Sequence, residues 1–178
     1  MTRIILITGG QRSGKSEEAE RRALQLSTCP VYLATARVWD AEMRHRVELH
    51  QQRRGPQWTN IEEPLQLSRH DVEGRVVLLD CLTLWLTNLF FQENTGGPEP
   101  SEDSVERTLA AAKAEFDRLT SQDATFIIVT NEIGLGGISE NKLQRQFTDL
   151  QGWMNQYIAA RADEVILMVS GIPVKIKP

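Results

Sequence analysis

The chain has little of what a disulfide-rich, membrane-spanning or nucleic-acid-binding protein requires. Its only cysteines, Cys29 and Cys81, lie far apart and without C-x-x-C spacing. That pattern gives neither a disulfide framework nor a zinc site, and both read as small buried residues in a reducing compartment. The most apolar run, residues 81–91, is too short for a membrane span and is interrupted by Thr83, Thr87 and Asn88. The N-terminus enters an apolar run directly, with no signal-peptide pattern. Lys and Arg number 20 against 24 Asp and Glu, a net charge of -4, so no basic footprint for nucleic acid exists. With only three histidines, any imidazole chemistry falls on His45, His50 or His70. Repeats and low-complexity tracts are absent. The expectation is one cytoplasmic domain over residues 1–178.

What is present is organised around Gly9, Gly10, Gln11, Arg12, Ser13, Gly14, Lys15 and Ser16. This G-x4-G-K-S run follows the apolar Ile4-Ile5-Leu6-Ile7 and precedes a helix-compatible segment. Strand, glycine-rich turn and helix at this spacing make a phosphate-binding P-loop. The glycines let successive N–H groups point into one concavity, and the helix N-terminus adds partial positive charge there. Lys15 is placed to reach the outer phosphates, and Ser16 to ligate Mg2+.

Further along, residues 31–35, 76–80, 126–130 and 165–169 read as buried strands. Helices fit residues 16–26, 40–52, 104–120 and 141–161, and a further one starts near Leu82. Glu17/Arg21 and Glu18/Arg22 form i,i+4 pairs on the first helix. Residues 57–62 read as a looser stretch, residues 92–101 as a Gly/Pro loop, and residues 174–176 as a final short strand. Strictly alternating strands and helices predict an α/β domain with a mainly parallel sheet covered on both faces. Ligands in such sheets lie at the carboxyl ends of the strands, where the P-loop, Thr35, Asp80, Asn131 and Glu132 all fall.

Asp80 closes a hydrophobic strand, as the second, metal-holding carboxylate of P-loop proteins does; the alternative is a helix cap. His50 shares a helical face with Met43 and Val47, the setting of an interior histidine, yet a neutral imidazole there can also attack phosphorus. Arg53 and Arg54 can neutralise phosphate or simply end a helix. Glu62-Glu63-Pro64 offers a carboxylate for a guanine edge, or else an acidic turn. His45 and His70 read as surface residues. A nucleotide-dependent switch is disfavoured, since no N-K-x-D guanine motif exists.

Taken together, these residues resemble the bifunctional adenosylcobinamide kinase / adenosylcobinamide-phosphate guanylyltransferase family of cobalamin biosynthesis. The resemblance is carried by TGGQRSGKS, YLATA, DAEMRHRVELH, WTNIEEP, VVLLDCLTLWLTNL, VTNEIGLGG and ADEVILMVSGIPVKIK. It covers nearly the whole chain, and VTNEIG and VSGIPVKIK are its most specific pieces. The resemblance implies a P-loop NTPase (RecA-like) fold with a mainly parallel sheet flanked by helices and a short C-terminal hairpin. It implies ATP or GTP as phosphate donor to adenosylcobinamide, GTP as GMP donor, Mg2+ as cofactor, and a trimeric homo-oligomer. GMP passes through a histidine in that family, matched here by His50; Leu49 stands where some relatives carry a second histidine, and His45 is the alternative. The same resemblance carries nucleotide contacts onto residues 9–16, Thr35, Ala36, Arg37, Gln51, Gln52, Arg53, Arg54, Glu62 and Asp80, with Ser16 and Asp80 at the metal and Lys15 catalytic beside His50. Gln51 and Gln52 depart from the more basic residues expected after the histidine. A single-activity small-molecule P-loop kinase, needing Lys15, Ser16 and Asp80 but no histidine, is the alternative reading.

Overall fold

A computed structural model describes residues 1–37, 41, 48, 54–93, 101 and 103–178. Apolar, β-branched runs become the strands of one seven-stranded sheet: β1 (Arg3–Gly9), β2 (Val31–Ala34), β3 (Thr59–Glu62), β4 (Val76–Asp80), β5 (Thr125–Val129), β6 (Glu164–Val169) and β7 (Ile172–Lys177). Their order across the sheet is β3-β2-β4-β5-β1-β6-β7. Every pairing is parallel except β6 with β7, which is antiparallel.

Side chains alternate between the faces of a strand, and each face is covered differently. Ile5, Ile7, Tyr32, Leu78, Ile127 and Ile166 pack with Ala19 and Ala23 of α1 (Lys15–Leu26). Small alanines on that helix let it lie close to the sheet. The opposite face, with Leu6, Leu33, Val77, Leu79, Phe126 and Ile128, packs against α2 (Leu82–Glu93), α3 (Ser104–Thr120) and α4 (Lys142–Arg161). Trp85 of α2 is fully buried there, and its indole N–H donates to Leu65 O at 2.9 Å. Truncating so large a buried ring typically costs about 3–5 kcal/mol.

A P-loop on the first strand of a mainly parallel sheet, helices on both faces and a C-terminal hairpin make this a P-loop NTPase fold, as the resemblance implied. Several local expectations need correction. β3 is a true strand, paired with β2 from Val31↔Thr59 to Ala34↔Glu62; its polar Thr-Asn-Ile-Glu sequence hid it, because an edge strand needs little apolar burial. β7 is longer than expected, spanning Ile172–Lys177. Cys29 is exposed, unlike the buried residue expected, and Cys81 is partly buried as a residue with its thiol turned away from solvent; neither is disulfide-bonded. Arg21 pairs with Glu18 rather than with Glu17, because Glu18 is buried beneath both Arg21 and Arg22 and Arg22 continues to Glu164. The expected helix over 40–52 lies outside the described residues except for Ala41 and Glu48, as do residues 94–100 of the expected loop.

Candidate functional site

The site begins where β1 ends. Gly9 adopts φ 152°, and a Cβ there would sit 2.7 Å from Met168 O and 2.8 Å from Ser13 Oγ. Only glycine meets both demands. The loop then passes through Arg12 at φ 56° and Gly14 at φ 90°, the N-cap of α1. The α1 N-terminus thus faces the loop with amides that have no helical acceptor, which suits an anion.

Lys15 is buried, and its Nζ donates to Gly10 O at 2.5 Å and to Ser13 Oγ at 3.4 Å. Desolvation lowers its pKa below the ordinary lysine value, while Cys81 and Asp80 oppose that shift. The ammonium is therefore folded back on its own loop, where an arriving phosphate would offset its desolvation. The hairpin turn at Ser170 and Gly171, with φ values of 52° and 82°, braces the loop from outside. Two positive φ values are what a tight two-residue hairpin needs. Gly171 N donates to Ser13 O at 3.0 Å.

Alternation along β4 turns Asp80 toward the face that carries α1, since Val76 and Leu78 pack there and Val77 and Leu79 on the other side. Its Oδ2 accepts the Tyr32 hydroxyl at 2.5 Å. The following thiol, Cys81, is pushed up to about 12 by burial and by Asp80, so it is protonated and not a nucleophile at neutral pH. The Asp80–Cys81 peptide is cis.

Tyr32 is the hub that sequence reasoning missed. Its ring meets Trp58 edge-on at 5.8 Å between centroids, and the Arg54 guanidinium lies 3.5 Å above it. Arg54 Nε donates to Asn60 Oδ1 at 3.1 Å, while its Nη1 is buried without a hydrogen-bond partner. A buried guanidinium N–H left without an acceptor is costly, and a ligand oxygen would satisfy it. The signal for Tyr32 was a lone polar tip in an otherwise apolar strand.

The two neighbouring glutamates separate cleanly. Glu63 is buried and caps its own turn: Oε1 accepts Leu65 N at 3.0 Å and Gln66 N at 2.9 Å, and Oε2 faces His70 and Arg69. Glu62 is exposed at the carboxyl end of β3. His70 is half-buried through its Glu63 contact, rather than a plain surface residue. Thr35 is fully buried: its hydroxyl donates to Cys81 O at 2.8 Å and accepts from Cys81 N at 3.0 Å. It fixes the start of the Ala36-Arg37 segment, both residues of which are partly exposed.

The structure therefore gathers residues 9–16, Asp80, Thr35 and Arg54 around the carboxyl ends of β1, β2 and β4. His50, His45, Gln51, Gln52 and Arg53 lie outside the described residues. For a metal, Asp80 and Ser16 offer hard oxygen donors. Mg2+ is commonly held by one carboxylate, a hydroxyl, phosphates and water, so this donor set fits. Among the described residues no helix is long and apolar enough to cross a membrane.

Comparison with known proteins adds the chemistry. Residues 5–176 match the family model described as cobinamide kinase / cobinamide phosphate guanyltransferase. The chain is 40% identical over 176 residues to the bifunctional adenosylcobalamin biosynthesis protein CobP of Pseudomonas aeruginosa, covering 97% of this chain and 96% of that protein. It is 41% identical over 182 residues to the bifunctional adenosylcobalamin biosynthesis protein CobU of Escherichia coli K12, covering 98% and 99%. A solved structure from Pyrococcus horikoshii OT3, 5% identical, aligns with a TM-score of 0.50 over 98% of this chain and 86% of that one, a likeness of fold alone.

Proposed function

The chain belongs to the cobinamide kinase / cobinamide phosphate guanyltransferase family, and on that premise we propose that it carries out both transfers in turn. It phosphorylates the aminopropanol hydroxyl of adenosylcobinamide with ATP or GTP. It then moves GMP from a second GTP onto the new phosphate, releasing pyrophosphate and giving adenosylcobinamide-GDP. The observation that carries this reading is the P-loop, with a buried Lys15 whose ammonium rests on a backbone carbonyl.

In the first transfer the amides of residues 10–16 cradle the phosphates, and Lys15 swings from Gly10 O onto the outer ones. Charge on the transferring group grows most in the transition state, which is where a preorganised cation helps most. Ser16 and Asp80 would hold Mg2+, which supplies charge neutralisation when bound. Arg12 and Arg54 add donors to the phosphate oxygens. Ala36, Arg37, Gln51, Gln52 and Arg53 complete the nucleotide contacts, with the buried Thr35 holding the start of that segment from beneath, and Glu62 accepts from the guanine edge.

In the second transfer His50 is the nucleophile. Its ring nitrogen bonds to the GTP α-phosphorus and pyrophosphate leaves; the cobinamide phosphate oxygen then displaces the histidine. A trimeric assembly belongs to the same reading; the exposed Ile172, Val174 and Ile176 of β7 offer apolar surface for it. So does a cytoplasmic location, which suits the unpaired Cys29 and Cys81.

The test is a product assay. Adenosylcobinamide, ATP, GTP and Mg2+ are incubated with the protein, and corrinoids are resolved by mass. Successive gain of one phosphate and then one GMP is expected. A product that stops at the phosphate would leave only the single-activity kinase.

A further inference from the structure

We propose that Glu132 is the catalytic base of the phosphorylation step, the carboxylate that takes the proton of the attacking substrate hydroxyl; this inference rests on the kinase reading above. β5 lies between the strand that launches the P-loop and the strand that ends in Asp80. Val129 is the register partner of both Ile7 and Asp80. The chain leaving β5 therefore crosses the gap between the phosphate cradle and the metal carboxylate. Three residues on, the Glu132 amide donates to Gly9 O at 3.0 Å, which pins its backbone against the first glycine of the loop.

The segment is held from both helices behind it. Asn131 N donates to Thr83 Oγ1 of α2 at 3.0 Å, and Asn155 Nδ2 of α4 donates to Asn131 O at 3.1 Å. Asn155 Oδ1 in turn accepts from Thr130 Oγ1 at 2.7 Å and from Gln151 Nε2 at 3.0 Å. Thr130 and Gln151 are 0% exposed. Such a polar network costs more to bury than apolar side chains of the same size, and what it secures is one conformation. That conformation sets the Glu132 backbone beside the first glycine of the loop. The Glu132 Oε1 accepts Gly134 N at 3.0 Å; among the described residues Oε2 has no hydrogen-bond partner.

Among the described residues, the other carboxylates at the carboxyl ends of strands are committed or remote. Asp80 is tied to Tyr32. Glu63 is spent on its turn. Glu62 ends β3, four strands from β1, about 19 Å away at a spacing of about 4.8 Å per strand. Glu132 sits one strand away. In the step, the hydroxyl oxygen bonds to the γ-phosphorus as the bond from that phosphorus to the bridging oxygen breaks. The nucleoside diphosphate leaves with that electron pair, and the hydroxyl proton passes to Glu132 and then to water.

The near-isosteric Glu132→Gln variant tests this in the two half-reactions separately. Phosphorylation of adenosylcobinamide should fall about 10²–10⁴-fold in kcat, the usual contribution of a general base. The KM for the nucleotide should stay within about threefold, since a group acting only in the transition state changes kcat rather than ground-state binding. GMP transfer to supplied cobinamide phosphate should be unaffected. An unchanged phosphorylation rate overturns the inference, and so does a parallel fall in both half-reactions, which would mark Glu132 as structural. A wild-type protein unable to phosphorylate the corrinoid at all overturns the parent reading, and this one with it.

Discussion

The Tyr32 hydroxyl donates a 2.5 Å hydrogen bond to Asp80 Oδ2. The two residues are not register partners: Tyr32 lies opposite Leu78, two residues short of Asp80. The ring therefore reaches diagonally along the sheet face toward α1. Burial, then the Asp80 charge, then the hydrogen bond itself raise the phenol pKa well above the ordinary tyrosine value. The hydroxyl stays protonated and remains a donor. One side chain thus orients the carboxylate with its tip and carries Arg54 on its face.

Tyr32→Phe separates those two tasks, because it removes the donor and keeps the ring. Partners of a metal-holding carboxylate typically govern affinity by about 10–100-fold. The Mg2+ concentration for half-maximal phosphorylation should rise about tenfold or more in this variant, a shift within that range, while thermal stability changes little. A titration of rate against Mg2+ checks it. An unchanged Mg2+ dependence would mean that the Tyr32 bond does not serve the metal site.

Gly9 and Gly10 give opposite expectations for the same substitution. A Cβ at Gly9 collides with the Met168 carbonyl, which β6 holds in place, and φ 152° disfavours any side chain. Gly9→Ala should cost about 1–3 kcal/mol, in the range of strained-backbone mutants, and weaken nucleotide binding more than tenfold, equal to about 1.4 kcal/mol. A Cβ at Gly10 meets nothing within 4 Å, so Gly10→Ala should unfold at the wild-type denaturant concentration. Chemical denaturation and nucleotide titration of the two variants provide the comparison.

The sheet was legible where strands are buried on both faces. β1, β4, β5 and β6 read as continuous apolar runs because parallel strands have no polar side. β3 was not, because Thr59 and Asn60 are exposed at an edge and carry no pattern. The P-loop was legible because its chemistry is contiguous in sequence. The Tyr32–Asp80 bond joins residues 48 apart, and the Gly171–Ser13 brace joins the two ends of the chain; only the strand order brings either pair together. The resemblance already pointed to Glu62, but that Glu63 is the one captured by the turn at Leu65 and Gln66 needed coordinates, since adjacent identical residues carry no pattern that separates them.

That captured carboxylate predicts a pH dependence. Burial pushes the Glu63 pKa up, but the Gln66 and Leu65 amides, His70 and Arg69 outweigh it, so the folded value lies below 4.5. A depressed folded value contributes stability that is full above the unfolded pKa and is lost as pH falls through the folded one. Glu63→Gln should therefore be destabilised most at neutral pH, and its gap from wild type should narrow below pH 4.5. Denaturation midpoints at the two conditions decide this; a gap that is constant with pH would assign the loss to packing alone.

The proposed histidine step gives the sharpest chemical test, because a P–N bond differs in acid and base lability from the phosphate esters of Ser, Thr and Tyr and from acyl phosphates. Incubation with GTP labelled at the α-phosphate should label the protein through a bond that survives base and breaks in acid. His50→Ala should abolish the label and His45→Ala should keep it. In the proposed reading the kinase half-reaction draws on Lys15, Ser16 and Asp80 rather than on an imidazole, so His50→Ala should still phosphorylate adenosylcobinamide. The product should then accumulate as the phosphate, because no histidine remains to receive GMP. Label retained in His50→Ala would reject this nucleophile, and label lost instead in His45→Ala would transfer the role to that residue. Loss of both half-reactions in a folded His50→Ala protein would mean that the imidazole serves the shared nucleotide pocket rather than the covalent step.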